Sequence, residues 1–288
     1  MKSFDYFAPQ SLDDATSLLH RYGKKSTLLA GGTDLLLRME RRLIEPGVII
    51  DLKKIRAIKG IKVARNGLRI GAATLMDEIA SSPLLRGRYG MVAQAAAAVG
   101  SIQTRNRATL GGNLCNASPA ADTAPPLIAL SATARFASSR RERELPLDEF
   151  FSGPGKTRLQ SNELLKEIFV PFVAERSGGS FQRCTRTAMD IALVNCAVFI
   201  SLAAEENTIT NVRIALGAVA PTPVRARGAE DFLCGKTPNP TAINEAADLA
   251  VAGATPIDDV RSTASYRREM VRVLVRRAIN GALEQARE

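Results

Sequence analysis

Two Gly-Gly pairs carry the strongest chemical signal in this sequence: Ala30-Gly31-Gly32-Thr33-Asp34 and Thr109-Leu110-Gly111-Gly112-Asn113. Each follows an apolar run and precedes polar residues able to cap or hydrogen-bond, which is how a backbone amide nest for a phosphate is built. Glycine suits such a nest because the chain adopts positive φ there and a pyrophosphate can approach the N–H groups without a Cβ in the way. For either loop alone, a tight turn packed against a helix is the more frequent explanation. Two such loops on two lobes, both flanked by Thr and a polar residue, are better explained by one dinucleotide lying between them. Neither reads GxGxxG or GxxxxGK(S/T), so a Rossmann site and a P-loop are both unsupported.

Little else in the chain could do chemistry. His20 is the only histidine, and Cys115, Cys184, Cys196 and Cys234 stand far apart with no CxxC spacing. That excludes a sequence-local zinc site and argues against an iron–sulfur cluster on this chain, since either needs about four soft ligands from close spacings. The cysteines read as small buried hydrophobes in a reducing cytoplasm. No metal-ligating or catalytic residue is assigned.

The elements that must position the loops belong to a globular chain. Its 288 residues are 45% apolar and 24% charged, which excludes disordered, collagen-like and low-complexity classes. A chain of this length buries roughly three-quarters of its unfolded surface and needs no disulfide or metal to fold. The 39 Lys and Arg against 29 Asp and Glu give a net charge of +10, which favours anionic partners, although a solvated surface with surplus Arg is the plainer explanation. Nucleic acid is disfavoured because the chain has no Trp and only four Tyr with which to stack bases. The N-terminus MKSFDYFAPQ carries Asp5 and Pro9 where a signal peptide needs its apolar core. The longest apolar stretch, Ile191 to Ala204, is interrupted by Asn195 and Ser201 and is too short to span a bilayer. A soluble, cytoplasmic protein without a transmembrane segment is expected.

Three lobes are expected, at 1–57, 58–176 and 177–288. In the first, Ser11 caps a helix whose Leu12, Ala15, Leu18 and Leu19 share a face and which Gly23 ends. The strand TLLA enters the first glycine turn, a helical pattern resumes from Asp34 to Leu43, and the strand VIIDL follows Pro46-Gly47. The second lobe opens with strands IKVA and LRIGA around an Asn66-Gly67 turn. A helix starts near Thr74, and an alanine-rich one ends at Gly100. Then come the loop SIQTRNRATLGGNLCNASPAAD, a helix from Asp122 to Leu130, a strand ATARFA, a charged turn RRERE and a strand EIFVPF. Ser177-Gly178-Gly179 reads as a linker or lobe boundary. The third lobe alternates from Ile191 to Leu202, turns at Glu205 to Asn207 and resumes as ITNVRIALGAV, an antiparallel sheet. It closes on a helix with a Tyr266, Met270, Val273, Leu274, Ala278 stripe and a solvated arginine face at 267, 268, 272, 276 and 277.

The segments LLAGGTDLLLRM and ATLGGNLCNASPAADTAPPLIAL together resemble the FAD-binding (medium) subunit of the molybdenum hydroxylases, the family of the carbon monoxide dehydrogenase medium subunit and the xanthine dehydrogenase FAD subunit. The resemblance continues through ELLKEIFVPF, RTAMDIALVN, PTPVRARGAE and YRREMVRVLVRRA, nearly the whole chain. It implies an α+β fold: a two-lobed FAD-binding domain of the vanillyl-alcohol-oxidase-like type, then an antiparallel three-stranded sheet with a helical bundle.

The resemblance also implies a cofactor site. Leu28, Leu29, Ala30, Gly31, Gly32, Thr33, Asp34 and Leu35 would form the first FAD loop, with Gly31, Gly32 and Thr33 offering amides and a hydroxyl to the pyrophosphate. Ala108, Thr109, Leu110, Gly111, Gly112 and Asn113 would form the second, followed by Asn116, Ser118 and Asp122. In the family position Asp122 would accept hydrogen bonds from ribityl or ribose hydroxyls; read by itself it is equally an N-cap before Pro125-Pro126, and both can hold. Val99 and Leu165 match apolar positions packed on the cofactor, and on sequence alone are core residues. Ile191 matches a residue that shields the flavin ring. Gln182 stands where many relatives carry a lysine near the flavin, with Arg183 beside it. A covalent flavin linkage is not expected.

The implied function is electron transfer by a non-covalent FAD. Molybdopterin would lie on a separate large subunit and 2Fe-2S clusters on a small subunit, in a heterotrimer, doubled, with NAD or another electron acceptor. The competing readings are a self-contained FAD-dependent oxidoreductase of the same fold, which needs an acid–base constellation that this chain does not display, and a basic nucleic-acid or scaffold protein without cofactor.

Overall fold

Residues 2–58 alternate short apolar strands with helices, and parallel strands require such crossovers. The computed structural model describes residues 2–204 and 207–288. β1 (Asp5–Phe7) leads through α1 (Leu12–Tyr22) to β2 (Ser26–Leu29), and α2 (Leu35–Glu40) returns the chain to β3 (Val48–Asp51). The strands form a parallel sheet in the order β1-β3-β2. α1 has both expected ends: Ser11 Oγ accepts the Asp14 amide at 3.0 Å, and Gly23 stops the helix at φ 49°. Ala15 and Leu19 are buried against Val48 and Ile50, with Leu12 and Leu18 packed beside them.

The second group begins with the hairpin β4 (Ile61–Ala64) and β5 (Gly67–Gly71). Its turn lies at Arg65-Asn66, one residue earlier than expected. Gly67 is a strand residue, and a Cβ there would overlap the carbonyl oxygen of Val170. The helices α3 (Met76–Ser81), α4 (Gly90–Ala97), α5 (Ile102–Arg105), α6 (Leu110–Asn116) and α7 (Ala124–Ala129) follow. After them come β6 (Thr133–Ala137), β7 (Glu142–Pro146), α8 (Leu147–Phe150), β8 (Phe151–Gly153), β9 (Lys156–Thr157) and β10 (Leu164–Pro171). The main sheet runs β4-β5-β10-β6-β7 and is antiparallel.

Two expectations are corrected here. The stretch from Ser101 to Asp122, expected as loop, holds two short helices, because Ser101 and Thr109 each accept an amide three residues on and so cap them. The charged RRERE segment is a turn only as far as Arg141; from Glu142 it is the edge strand β7, where Glu144 pairs with Arg135 at 3.1 Å.

Ser177-Gly178-Gly179, expected as a linker or lobe boundary, is not a linker but the start of β11 (Ser177–Cys184). β12 (Val194–Leu202), β13 (Ile209–Gly217), β14 (Val224–Arg225), α9 (Arg227–Leu233), α10 (Pro240–Ala252) and α11 (Ala264–Arg287) complete the chain. A Cβ on Gly178 would overlap the carbonyl oxygen of Ala282, so the glycine lets α11 lie directly on the strand. The antiparallel sheet has four strands, β11-β12-β13-β14, rather than three. β14 is two residues after Pro223, too short to show a period-2 pattern. Of the expected turn at Glu205 to Asn207, residues 205 and 206 lie outside the described residues.

Both faces of β12 are buried. Val194, Cys196, Val198 and Ile200 face the three C-terminal helices, whereas Ala197 and Phe199 join the core of the five-stranded sheet. α11 buries Val271, Leu274, Val275, Ala278, Ile279, Ala282, Leu283 and Ala286. The expected stripe is therefore rotated: Tyr266 is 48% exposed, while Arg267, expected on the solvated face, is 4% exposed. Arg267 donates to the carbonyls of Leu193 (2.7 Å) and Ala218 (3.2 Å) and pairs with Asp259 at 2.9 Å, which sets the helix rotation.

Candidate functional site

The first glycine loop joins β2 to α2. Leu28 and Leu29 end the strand, Ala30, Gly31, Gly32, Thr33 and Asp34 make the turn, and Leu35 begins the helix. Gly32 has φ 82°, which an L side chain rarely adopts. The carbonyls of Gly32 and Asp34 accept the amides of Leu36 and Arg38, each at 3.0 Å. Among the described residues, no acceptor takes the amides of Gly31, Gly32, Thr33 or Asp34. The loop thus presents consecutive open N–H groups, the donor set a diphosphate requires.

The second loop is built differently. Leu110 N and Gly111 N donate to the carbonyls of Thr74 (3.0 Å) and Ala72 (2.7 Å), and Met76 N donates to Ala108 O at 2.9 Å. Thr109 Oγ1 takes the Gly112 amide at 3.1 Å, and Thr109 O takes that of Asn113 at 3.0 Å. The amides of residues 110–113 are therefore spent within the protein. Gly111 is glycine for packing, since a Cβ there would lie 2.8 Å from the Ala72 oxygen. What this loop offers outward is polar side chain: Asn113 Oδ1 accepts from Thr123 Oγ1 at 2.7 Å, and Asn116 Nδ2 donates to Asp34 Oδ1 at 3.2 Å. Ser118 Oγ accepts the Ala120 amide at 3.3 Å.

The two loops meet. A Cβ on Gly31 would overlap the carbonyl oxygen of Arg107, just ahead of Ala108. Together with the Asn116–Asp34 hydrogen bond, this closes the first loop onto the second.

Asp122 lies behind them, 7% exposed. Its Oδ1 accepts from Asn195 Nδ2 at 2.9 Å, and Arg183 Nε stands 3.2 Å from the same oxygen. Burial pushes its carboxyl up to about 6, against the opposing pull of Arg183 and the hydrogen bond from Asn195. The side chain does not cap α7, whose N-cap is Thr123. Of the two roles open to Asp122 at the sequence level, the N-cap is thus excluded: its carboxylate is turned toward β11 and β12.

The other expected residues are more scattered. Leu165 is buried in β10 and Val99 packs half-buried against the same core. Ile191 is 48% exposed, beside Met189 at 67%. Gln182 is not brought to Asp122. It pairs across β12 with Cys196, on the face toward α11, and among the described residues donates to Ser180 Oγ alone, at 3.4 Å. Arg183 points to the other face, toward Asp122. Asn195 was not anticipated as a site residue; a polar side chain interrupting a buried apolar run was the signal for it, because such a group is kept only with a partner.

Residues 2–173 match the family model of the FAD binding domain in molybdopterin dehydrogenase, and residues 179–282 that of the CO dehydrogenase flavoprotein C-terminal domain. The chain belongs to this family of flavoprotein subunits. It is 36% identical over 279 residues to the carbon monoxide dehydrogenase medium chain of Hydrogenophaga pseudoflava, covering 97% of this chain and 96% of that one. It is 30% identical over 284 residues to the xanthine dehydrogenase FAD-binding subunit of Escherichia coli O157:H7, covering 98% and 96%. A solved structure of carbon monoxide dehydrogenase from Hydrogenophaga pseudoflava superposes with a TM-score of 0.94 at 36% identity, covering 99% of this chain and 98% of that chain. The open amides of the first loop and the Cβ-free contact at Gly31 fit the FAD this family binds. No helix among the described residues is long and apolar enough to cross a membrane.

Proposed function

We propose that this chain binds FAD non-covalently and transfers electrons within a molybdenum hydroxylase. The carrying observation is the first glycine loop, with four successive amides open to a ligand, closed against the second loop. In this reading Gly31, Gly32 and Thr33 hold the diphosphate, where oriented amides stabilise charge without a mobile counter-ion. Asp122 accepts from ribityl or ribose hydroxyls through Oδ2, which takes no hydrogen bond from the described residues. Val99 and Leu165 pack on the cofactor, and Ile191 screens the ring. The lobes 1–57 and 58–176 form a vanillyl-alcohol-oxidase-like cofactor domain, and 177–288 the domain that closes behind it.

The flavin supplies the redox chemistry; the protein binds it, orients it and tunes it electrostatically. Electrons arrive from 2Fe-2S clusters on a small subunit, after substrate oxidation at molybdopterin on a large subunit, and leave to NAD or another acceptor. The assembly is a dimer of heterotrimers in the cytoplasm, a location in keeping with four unpaired cysteines.

The test is a visible spectrum of protein purified at native expression, with a denaturing gel and metal analysis of the same fraction. A flavin spectrum with two copurifying chains, molybdenum and iron is the expected outcome. Flavin that persists without partners or metals after coexpression of the neighbouring subunits moves the assignment to a self-contained FAD oxidoreductase. A colourless protein that FAD cannot reconstitute overturns the reading of both loops.

A further inference from the structure

Arg183 stands at the end of β11 with its donors divided between two directions. On one side Nε lies 3.2 Å from Asp122 Oδ1. On the other, the terminal nitrogens donate to the carbonyl oxygens of Ala188 (3.5 Å) and Asp190, both in the 185–193 connection between β11 and β12. The guanidinium side chain is 14% exposed, so water competes little for these donors. The far end of the connection is pinned separately: Leu193 N donates to Cys184 O at 2.8 Å, and Arg267 of α11 donates to Leu193 O at 2.7 Å. Between the two pins the chain exposes Met189 and Ile191.

We infer that Arg183 is a positioning residue whose guanidinium fastens the Met189–Ile191 tip to the Asp122 carboxylate, so that the tip and the cofactor-side carboxylate hold one fixed relation. Only a planar fork serves here. The two terminal nitrogens donate to two carbonyls while the charge at Nε stands 3.2 Å from the carboxylate as an ion pair, an arrangement the single ammonium of lysine cannot reproduce. Asn195, opposite Arg183 in the β11–β12 register and fully buried, holds the same Asp122 oxygen from the neighbouring strand. The carboxylate is thereby held by a hydrogen bond from one strand and an ion pair from the other, both at Oδ1, and no hydrogen bond from the described residues reaches Oδ2. The tip has a second ionic contact, Arg186 to Asp190 at 2.6 Å, but with the Arg186 side chain 49% exposed it restrains little.

The consequence for electron transfer rests on the flavin reading above: with Ile191 over the ring, a loosened tip changes how an acceptor docks and leaves the chemistry of the bound flavin alone. The restraint itself does not rest on it. Hydrogen exchange followed by mass spectrometry on the full chain separates the two, using wild type, Arg183→Lys, Arg183→Gln and Arg186→Ala, with flavin content read from the visible spectrum of each.

In both Arg183 variants the amides of 185–192 are expected to exchange about tenfold faster, the loss of charge-assisted hydrogen bonds. Protection in β12 and α11 stays as in wild type, and Arg186→Ala changes little. In stopped flow, dithionite-reduced protein mixed with ferricyanide then shows a shifted half-saturating acceptor concentration, with the limiting rate held within about twofold. Unchanged 185–192 exchange in both Arg183 variants overturns the inference, and so does exchange raised uniformly over the whole molecule, which marks a general stabiliser. Faster tip exchange in the Arg183 variants, with a wild type that itself takes up no flavin, upholds the restraint and overturns the flavin reading.

Discussion

Asn116 Nδ2 donates to Asp34 Oδ1 at 3.2 Å, joining residues 82 positions apart in the chain. Asp34 ends the loop whose amides are open, and Asn116 ends the short helix that the second glycine pair begins. One hydrogen bond thus sets the distance between the two halves of the cradle. Because the pair is exposed, Asn116→Ala is expected to lower global stability by less than about 1 kcal/mol. Its effect falls on the cradle, with FAD affinity in a fluorescence titration weakened by about threefold to tenfold. Unaltered affinity shows that the loops hold their spacing without this bond.

Gly31 is the tighter of the two joints. Its missing Cβ is what lets the Arg107 carbonyl lie against the loop, and backbone on both sides leaves nothing flexible to yield. Gly31→Ala is expected to cost about 1–3 kcal/mol in urea unfolding and to abolish flavin retention on a desalting column. Gly228, in the first turn of α9 with open space where a methyl group would stand, is the control. Gly228→Ala leaves flavin bound and stabilises the chain by about 0.5 kcal/mol.

Asp122 makes stability fall as pH rises. Its native pKa is pushed up from an ordinary 3.8 to about 6, so the folded chain binds that proton more tightly than the unfolded chain. The favourable contribution is complete below about pH 4 and is lost by about pH 6, on the order of 2–3 kcal/mol. Asp122→Asn is neutral throughout and lacks this slope. Between pH 4.5 and 7 the urea midpoint of the apo wild-type chain is therefore expected to fall relative to that of Asp122→Asn. Parallel curves show that the carboxyl titrates at its ordinary value.

Arg267 and Arg268 are neighbours on α11 with opposite fates, one 4% exposed and the other on the surface. Arg267→Ala strands the carbonyls of Leu193 and Ala218 and leaves Asp259 without its buried partner. A loss of about 3 kcal/mol is expected. Arg268→Ala stays within about 0.5 kcal/mol of wild type. Thermal unfolding of the two variants decides it, and equal midpoints return Arg267 to the solvated face.

Local signals in the sequence determined local structure. Ser11 and Gly23 bound α1, the apolar periods mark most strands, and the glycine pairs mark both turns of the cradle, because caps, turns and periodicity depend on residues within a few positions. The resemblance of those glycine segments to the flavoprotein family was likewise legible without a structure. Folding decided everything that depends on distant partners. The second loop spends its amides on Ala72, Thr74 and Thr109, Gly111 serves packing, and among the described residues the first of the two loops is the one that presents open backbone donors. Gln182 and Arg183 are adjacent in sequence, yet strand alternation sends one toward α11 and the other to Asp122. Ser177-Gly178-Gly179 has the composition of a linker and becomes a strand because α11, about a hundred residues later, needs a surface without side chains to approach. A buried Arg267 and a four-stranded sheet follow from the same cause: burial and pairing are properties of contacts between segments, and no single segment carries them.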